Sequence, residues 1–159
     1  MDILKKSIVI LLFGSLASCW GYQKYWDQEV KALCLKDGGV HIYENVILSK
    51  EDYEKNNGKN GYISIPDYRH SKAHHDYYNT SEQTFIYELN NELSYLDVYR
   101  LEFKTYRKSD KKLMSAFISY ARRGGEFLRG LGFHPSSYSC SDIESLKEHY
   151  KRKFYQYEG

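Results

Sequence analysis

The chain has 159 residues, enough for one domain, and its 42% hydrophobic content supports a single modest core rather than two. Lysine and arginine number 23 against 21 acids, a formal net charge of +2. So balanced a chain lacks the concentrated basic surface that tracks phosphates, which argues against nucleic acid as a partner. Aromatic residues make up 16%, and 17 residues are tyrosine, in a chain whose mean hydropathy is -0.68. Tyrosine is therefore the main packing aromatic.

Residues 1–18 have the layout of a secretory signal peptide. Lys5 and Lys6 precede the apolar run Ile8-Val9-Ile10-Leu11-Leu12-Phe13, and small residues follow. The run is shorter than the ~20 residues a membrane-spanning helix needs. Leu16-Ala17-Ser18-Cys19 resembles the bacterial lipobox, which implies cleavage before Cys19, acylation of that cysteine and a domain of residues 19–159 held on a bilayer. Each buried acyl methylene contributes ~0.8 kcal/mol, so two or three chains anchor a protein nearly permanently. Trp20 stands where inner-membrane retention signals typically carry Asp, and similarity to that sorting rule points to the outer membrane, facing the periplasm. Loss of Lys5, Lys6 and Asp2 with the signal leaves 21 basic and 20 acidic residues. The protein part then has no electrostatic hold on a membrane.

With Cys19 carrying lipid, Cys34 and Cys140 remain in a compartment that permits disulfides, and two cysteines allow one intramolecular pairing. A Cys34–Cys140 bridge is expected. Neither cysteine has a CxxC partner to lower its pKa, so a catalytic thiol is disfavoured.

Within residues 22–36, Trp26, Val30, Leu33 and Cys34 fall on one face of an amphipathic helix, and Asp37-Gly38-Gly39 marks its stop. Residues 40–48 read as one strand, with Glu44 intruding on the side of Val40, Ile42, Val46 and Leu48. Ser49-Lys50-Glu51-Asp52 caps a short helical turn, and Asn56-Asn57-Gly58-Lys59-Asn60-Gly61 is a loop. Residues 62–65 read as a short strand ended by Pro66, and 67–79 as surface loop. Strands follow over 84–89, 93–106 and 113–121, the last two joined as a hairpin by Arg107-Lys108-Ser109-Asp110-Lys111-Lys112. Arg122-Arg123-Gly124-Gly125 is expected to end the hairpin, with a loop to Cys140. Ser141-Asp142-Ile143-Glu144 then reads as a capping box opening a last helix over 143–157. The order predicts a single α+β domain, a mostly antiparallel sheet flanked by an N-terminal and a C-terminal helix.

Four blocks stand out together: Leu33-Cys34-Leu35-Lys36-Asp37-Gly38-Gly39 running on to Tyr43-Glu44, Arg107-Lys108-Ser109-Asp110-Lys111-Lys112-Leu113, Tyr120-Ala121-Arg122-Arg123-Gly124-Gly125, and His134-Pro135-Ser136-Ser137-Tyr138-Ser139-Cys140. In this order they resemble a group of small, uncharacterised proteobacterial envelope proteins, many of them lipoproteins. The resemblance implies an envelope location and no particular activity. The chain departs from that group in extending past its last cysteine.

Several residues are candidates for chemistry. His70, His74, His75 and Asp76 are the densest set of potential metal ligands, but no HExxH accompanies them and the segment reads as loop, so no metal is expected. His134, near Ser136, Ser137 and Ser139, suggests a hydrolase, without a GxSxG elbow to support it. Arg122 and Arg123, beside Gly124 and Gly125, could offer guanidinium and backbone N–H groups to an anion. Lys147, Lys151, Arg152 and Lys153 form a basic strip on the expected last helix that could meet anionic lipid heads. The pattern favours a non-enzymatic, lipid-anchored module that binds an envelope protein or cell-wall component, without a cofactor. A periplasmic hydrolase acting on envelope polymers through His134 or the cluster of His70 to Asp76, and an inhibitor or immunity-type binder of a periplasmic enzyme, are the alternatives.

Overall fold

A computed structural model of the chain describes residues 21–60, 62–90, 94–127 and 136–157. The signal segment, Cys19 and His134 lie outside the described residues. The first helix, α1, covers residues 21–37, with Val30 and Cys34 fully buried. It stops where expected. Gly38 N–H donates to Cys34 O at 2.8 Å, and a Cβ on Gly38 would lie 2.6 Å from that oxygen. Gly39 then takes φ +113° and turns the chain into the sheet.

The stretch expected as one strand is two, β1 (Gly39–Ile42) and β2 (Val46–Leu48). Between them the N–H groups of Tyr43 and Glu44 both reach Met114 O, at 2.9 and 3.3 Å. Glu44 breaks the strand because its carboxylate is captured by Arg107 and Lys112. Helix α2 (Lys50–Lys55) is capped by Ser49, whose side chain accepts from Asp52 N–H at 3.1 Å. The strand expected over 62–65 is only an isolated bridge between Lys59 and Tyr62, and 67–79, expected as loop, holds a 3-10 turn, Tyr68–His70, and the first three residues of the next strand, from Tyr77 on.

Three long strands follow: β3 (Tyr77–Asn90), β4 (Ser94–Arg107) and β5 (Leu113–Phe127), with β6 (Ser137–Ser139) after them. The order is β1-β5-β4-β3, β6 also pairs with β5, and every pairing in this sheet is antiparallel. Strand β5 does not stop at Gly124-Gly125. It runs through them at φ +86° and +100°, because the backbone of Tyr95 passes so close that a Cβ on Gly124 would sit 2.2 Å from its oxygen.

The last helix is shorter than expected. Two 3-10 turns, Cys140–Asp142 and Glu144–Leu146, lead into α3 (Lys147–Tyr150), and β7 (Tyr155–Tyr157) then pairs in parallel with β2. The capping box lies two residues earlier than expected: Ser139 N–H donates to Asp142 Oδ2 at 2.7 Å. Phe154 and Tyr155 are buried in a second core cluster with Leu48, Tyr53, Ile63, Tyr77 and Met114. That burial needs an extended return beside β2, and it overrides the helical spacing of the apolar residues. The α+β class and the antiparallel sheet hold. Among the described residues no helix is long and apolar enough to cross a membrane.

The first cluster lies between α1 and the sheet, where Val30 and Cys34 meet Leu96, Val98, Ile118, Tyr120 and Cys140. The Cys34–Cys140 disulfide is formed at its centre, with both residues fully buried. Beyond the helix end the same sheet face turns polar. Glu102 sits 2.7 Å from Arg100 and 3.2 Å from Lys104, and Tyr120 OH donates to Asp37 at 3.0 Å. Charge compensation replaces apolar packing where α1 no longer covers the strands.

Candidate functional site

Arg122 is turned inward. Its Nε donates to Asp27 Oδ1 at 2.6 Å, and its Nη1 donates to Ser136 Oγ at 3.1 Å and to Gly124 O. With 4% of its side chain exposed, it clamps α1 to β5 rather than offering a free fork. Gly124 N–H donates to Ser136 O at 2.8 Å, so that amide is also occupied. Arg123 is exposed, its guanidinium 6.0 Å from the centroid of the Tyr95 ring. Alternation along β5 thus separates two arginines that the sequence places side by side.

The histidines do not converge. His70 is exposed, with Nδ1 4.0 Å from Asp67 Oδ1. The His74 and His75 rings lie 4.1 Å apart. His75 is buried, and its Nε2 meets Asn57 Nδ2 at 3.1 Å. Burial first, then His74 and nearby lysines, push its pKa down. Asp76 is held by Lys55 at 2.7 Å and Asn56 at 3.0 Å. Among the described residues no three His, Cys, Asp or Glu side chains are grouped to hold a metal.

The expected basic strip is largely paired: Lys147 with Glu144, Lys151 with Glu148, and Lys153 Nζ 3.4 Å from the centre of the Tyr62 ring. Uncompensated positive charge collects instead at the β4–β5 hairpin. Arg107 grips Asp110 through Nε at 3.1 Å and Nη2 at 2.6 Å, and its Nη1 reaches Glu44 at 2.8 Å. Lys112 pairs with the same Glu44, and its N–H donates to Asp110 Oδ1 at 3.1 Å. Asp110 is driven down to about 2 by Arg107 first and then by that N–H; Glu44 is lowered by Lys112 and Arg107. Two acids therefore neutralise Arg107 and Lys112 and leave Lys108 and Lys111. Lys108 Nζ donates to a neutral carbonyl, Lys72 O, and Lys111 forms no ion pair among the described residues.

These two lysines line a cleft with Tyr68, Arg69, Ser71 and Tyr78. The Tyr68 ring meets Tyr78 edge-on at 5.1 Å, and Tyr78 stacks on Tyr106 at 5.4 Å. Sequence reading missed this place because it joins a loop near residue 70 to a hairpin near residue 110, brought together by the Tyr77–Arg107 pairing of β3 and β4. The only local signal was a turn with four cations and one acid. Comparison with protein-family models, curated proteins and solved structures gave no match.

Proposed function

We propose that this chain is a lipid-anchored, non-enzymatic binding module of the bacterial envelope, tethered through Cys19 and related to the small envelope lipoproteins its sequence blocks resemble. The observation that carries the location is the buried Cys34–Cys140 disulfide, which belongs to an oxidising compartment. The signal-like residues 1–18 and the lipobox-like Leu16-Ala17-Ser18-Cys19 point the same way. For binding rather than catalysis, the support is an open cleft that presents aromatic rings and lysines without an ion-pair partner among the described residues, whereas in the His70–Asp76 set Asp76 is held by Lys55 and Asn56 and His75 by Asn57.

Metabolic labelling with palmitate tests the anchor. The parent chain should carry label and fractionate with membranes, and Cys19→Ala should lose both properties. Label retained in that variant would refute the assignment.

A further inference from the structure

The cleft between the β4–β5 hairpin and the Tyr68–Ser71 turn encloses about 470 Å³, within the ~300–1,000 Å³ of small-ligand sites. It offers two kinds of contact. Tyr68 presents a ring that is 66% exposed and braced from behind by Tyr78. Lys108, Lys111 and Arg69 bring positive charge; among the described residues no acidic residue lines the cleft, and of these three cations Arg69 alone is in an ion pair, with Asp67 at 3.0 Å. A bare inorganic anion would use the cations and leave the rings idle. A neutral sugar would use the ring and leave the cations idle. A carboxylate-bearing pyranose has an apolar C–H face and a negative charge on one ring, and it matches both.

We propose that this cleft binds a carboxylated saccharide, with the sugar face on Tyr68 and the carboxylate at Lys108 and Lys111. The inference rests on the envelope-facing reading above and names the ligand class for it. Arg107, Asp110 and Glu44 act as positioning residues, because they fix the hairpin that carries both lysines. Lys111 itself is held at φ 57° in that turn.

The test is isothermal titration of the full chain in detergent with trigalacturonate, with maltotriose as an uncharged trisaccharide and with inorganic phosphate. Trigalacturonate should bind at least about tenfold more tightly than either control and weaken as salt is added. Tyr68→Ala and Lys111→Gln, both at exposed positions, should each weaken it about five- to tenfold while circular dichroism stays unchanged. Equal binding of maltotriose, equal binding of phosphate, absence of binding, or affinity unaltered in both variants would overturn the proposal. Palmitate labelling separates the two readings: a labelled chain that fails to bind overturns the ligand alone, and an unlabelled chain that binds overturns the anchor alone.

Discussion

Removing the disulfide is the most quantitative perturbation the structure allows. The bridge closes a sequence separation of 106 residues. In the chain-entropy treatment a loop of that length is worth about 4.8 kcal/mol at 25 °C. That is a large share of the ~5–15 kcal/mol by which domains of this size are stable. Tyr120 N–H donates to the Cys140 sulfur at 3.1 Å, so Cys34→Ala combined with Cys140→Ser keeps an acceptor there and isolates the loop contribution. With a urea dependence of ~2 kcal/mol per molar, the unfolding midpoint should fall by about 2.4 M. Fluorescence of Trp26, which stacks on Tyr87 at 4.5 Å, reports the transition. Because both sulfurs are fully buried, dithiothreitol should reduce the native parent only as fast as the core opens, and much faster in denaturant. A midpoint shift below about 0.5 M would refute the loop-closure reasoning.

Two further outcomes follow from the arginine clamp and the hairpin. Arg122→Met should cost about 2–3 kcal/mol in urea unfolding, because Asp27, Gly124 O and Ser136 lose their common donor, while Arg123→Met should stay within ~0.5 kcal/mol; equal effects would contradict the inward and outward assignments. At the hairpin, Asp110 has a depressed folded pKa, so its contribution is present above the unfolded value near 3.8 and is lost as pH falls through about 2. A carbon-detected NMR titration should find the Asp110 midpoint at about 2, and a midpoint near 3.8 would show that the Arg107 fork does not persist in solution.

Elements fixed by local chemistry were legible in the sequence. The α1 stripe, its glycine stop, the Ser49 cap and the β4–β5 hairpin each depend on neighbouring residues, and each is found where the spacing put it. The disulfide was legible because two cysteines admit one pairing. What could not be read were choices made by distant partners. The apolar residues at 154 and 155 suit a helix as well as a strand, and only β2, more than a hundred residues earlier, decides for the strand. Likewise Gly124 and Gly125 look like a stop, and only the approach of Tyr95 shows why a continuing strand needs them.

The candidate site was hidden for the same physical reason in stronger form. Net charge near zero says nothing about where charge remains once acids and bases have paired, since pairing is set by the fold. Glu44, in the sequence an intruder in a strand, lies 63 residues from Arg107 and yet takes up both Arg107 and Lys112. Asp110 completes the neutralisation of Arg107 from within the turn. Had Glu44 remained in a continuous strand, Lys112 would join Lys108 and Lys111 without an acidic partner, and the positive field of the hairpin would be diffuse. Because it leaves the strand, two lysines stand alone beside two tyrosines, and a balanced protein acquires a small cationic, aromatic cleft.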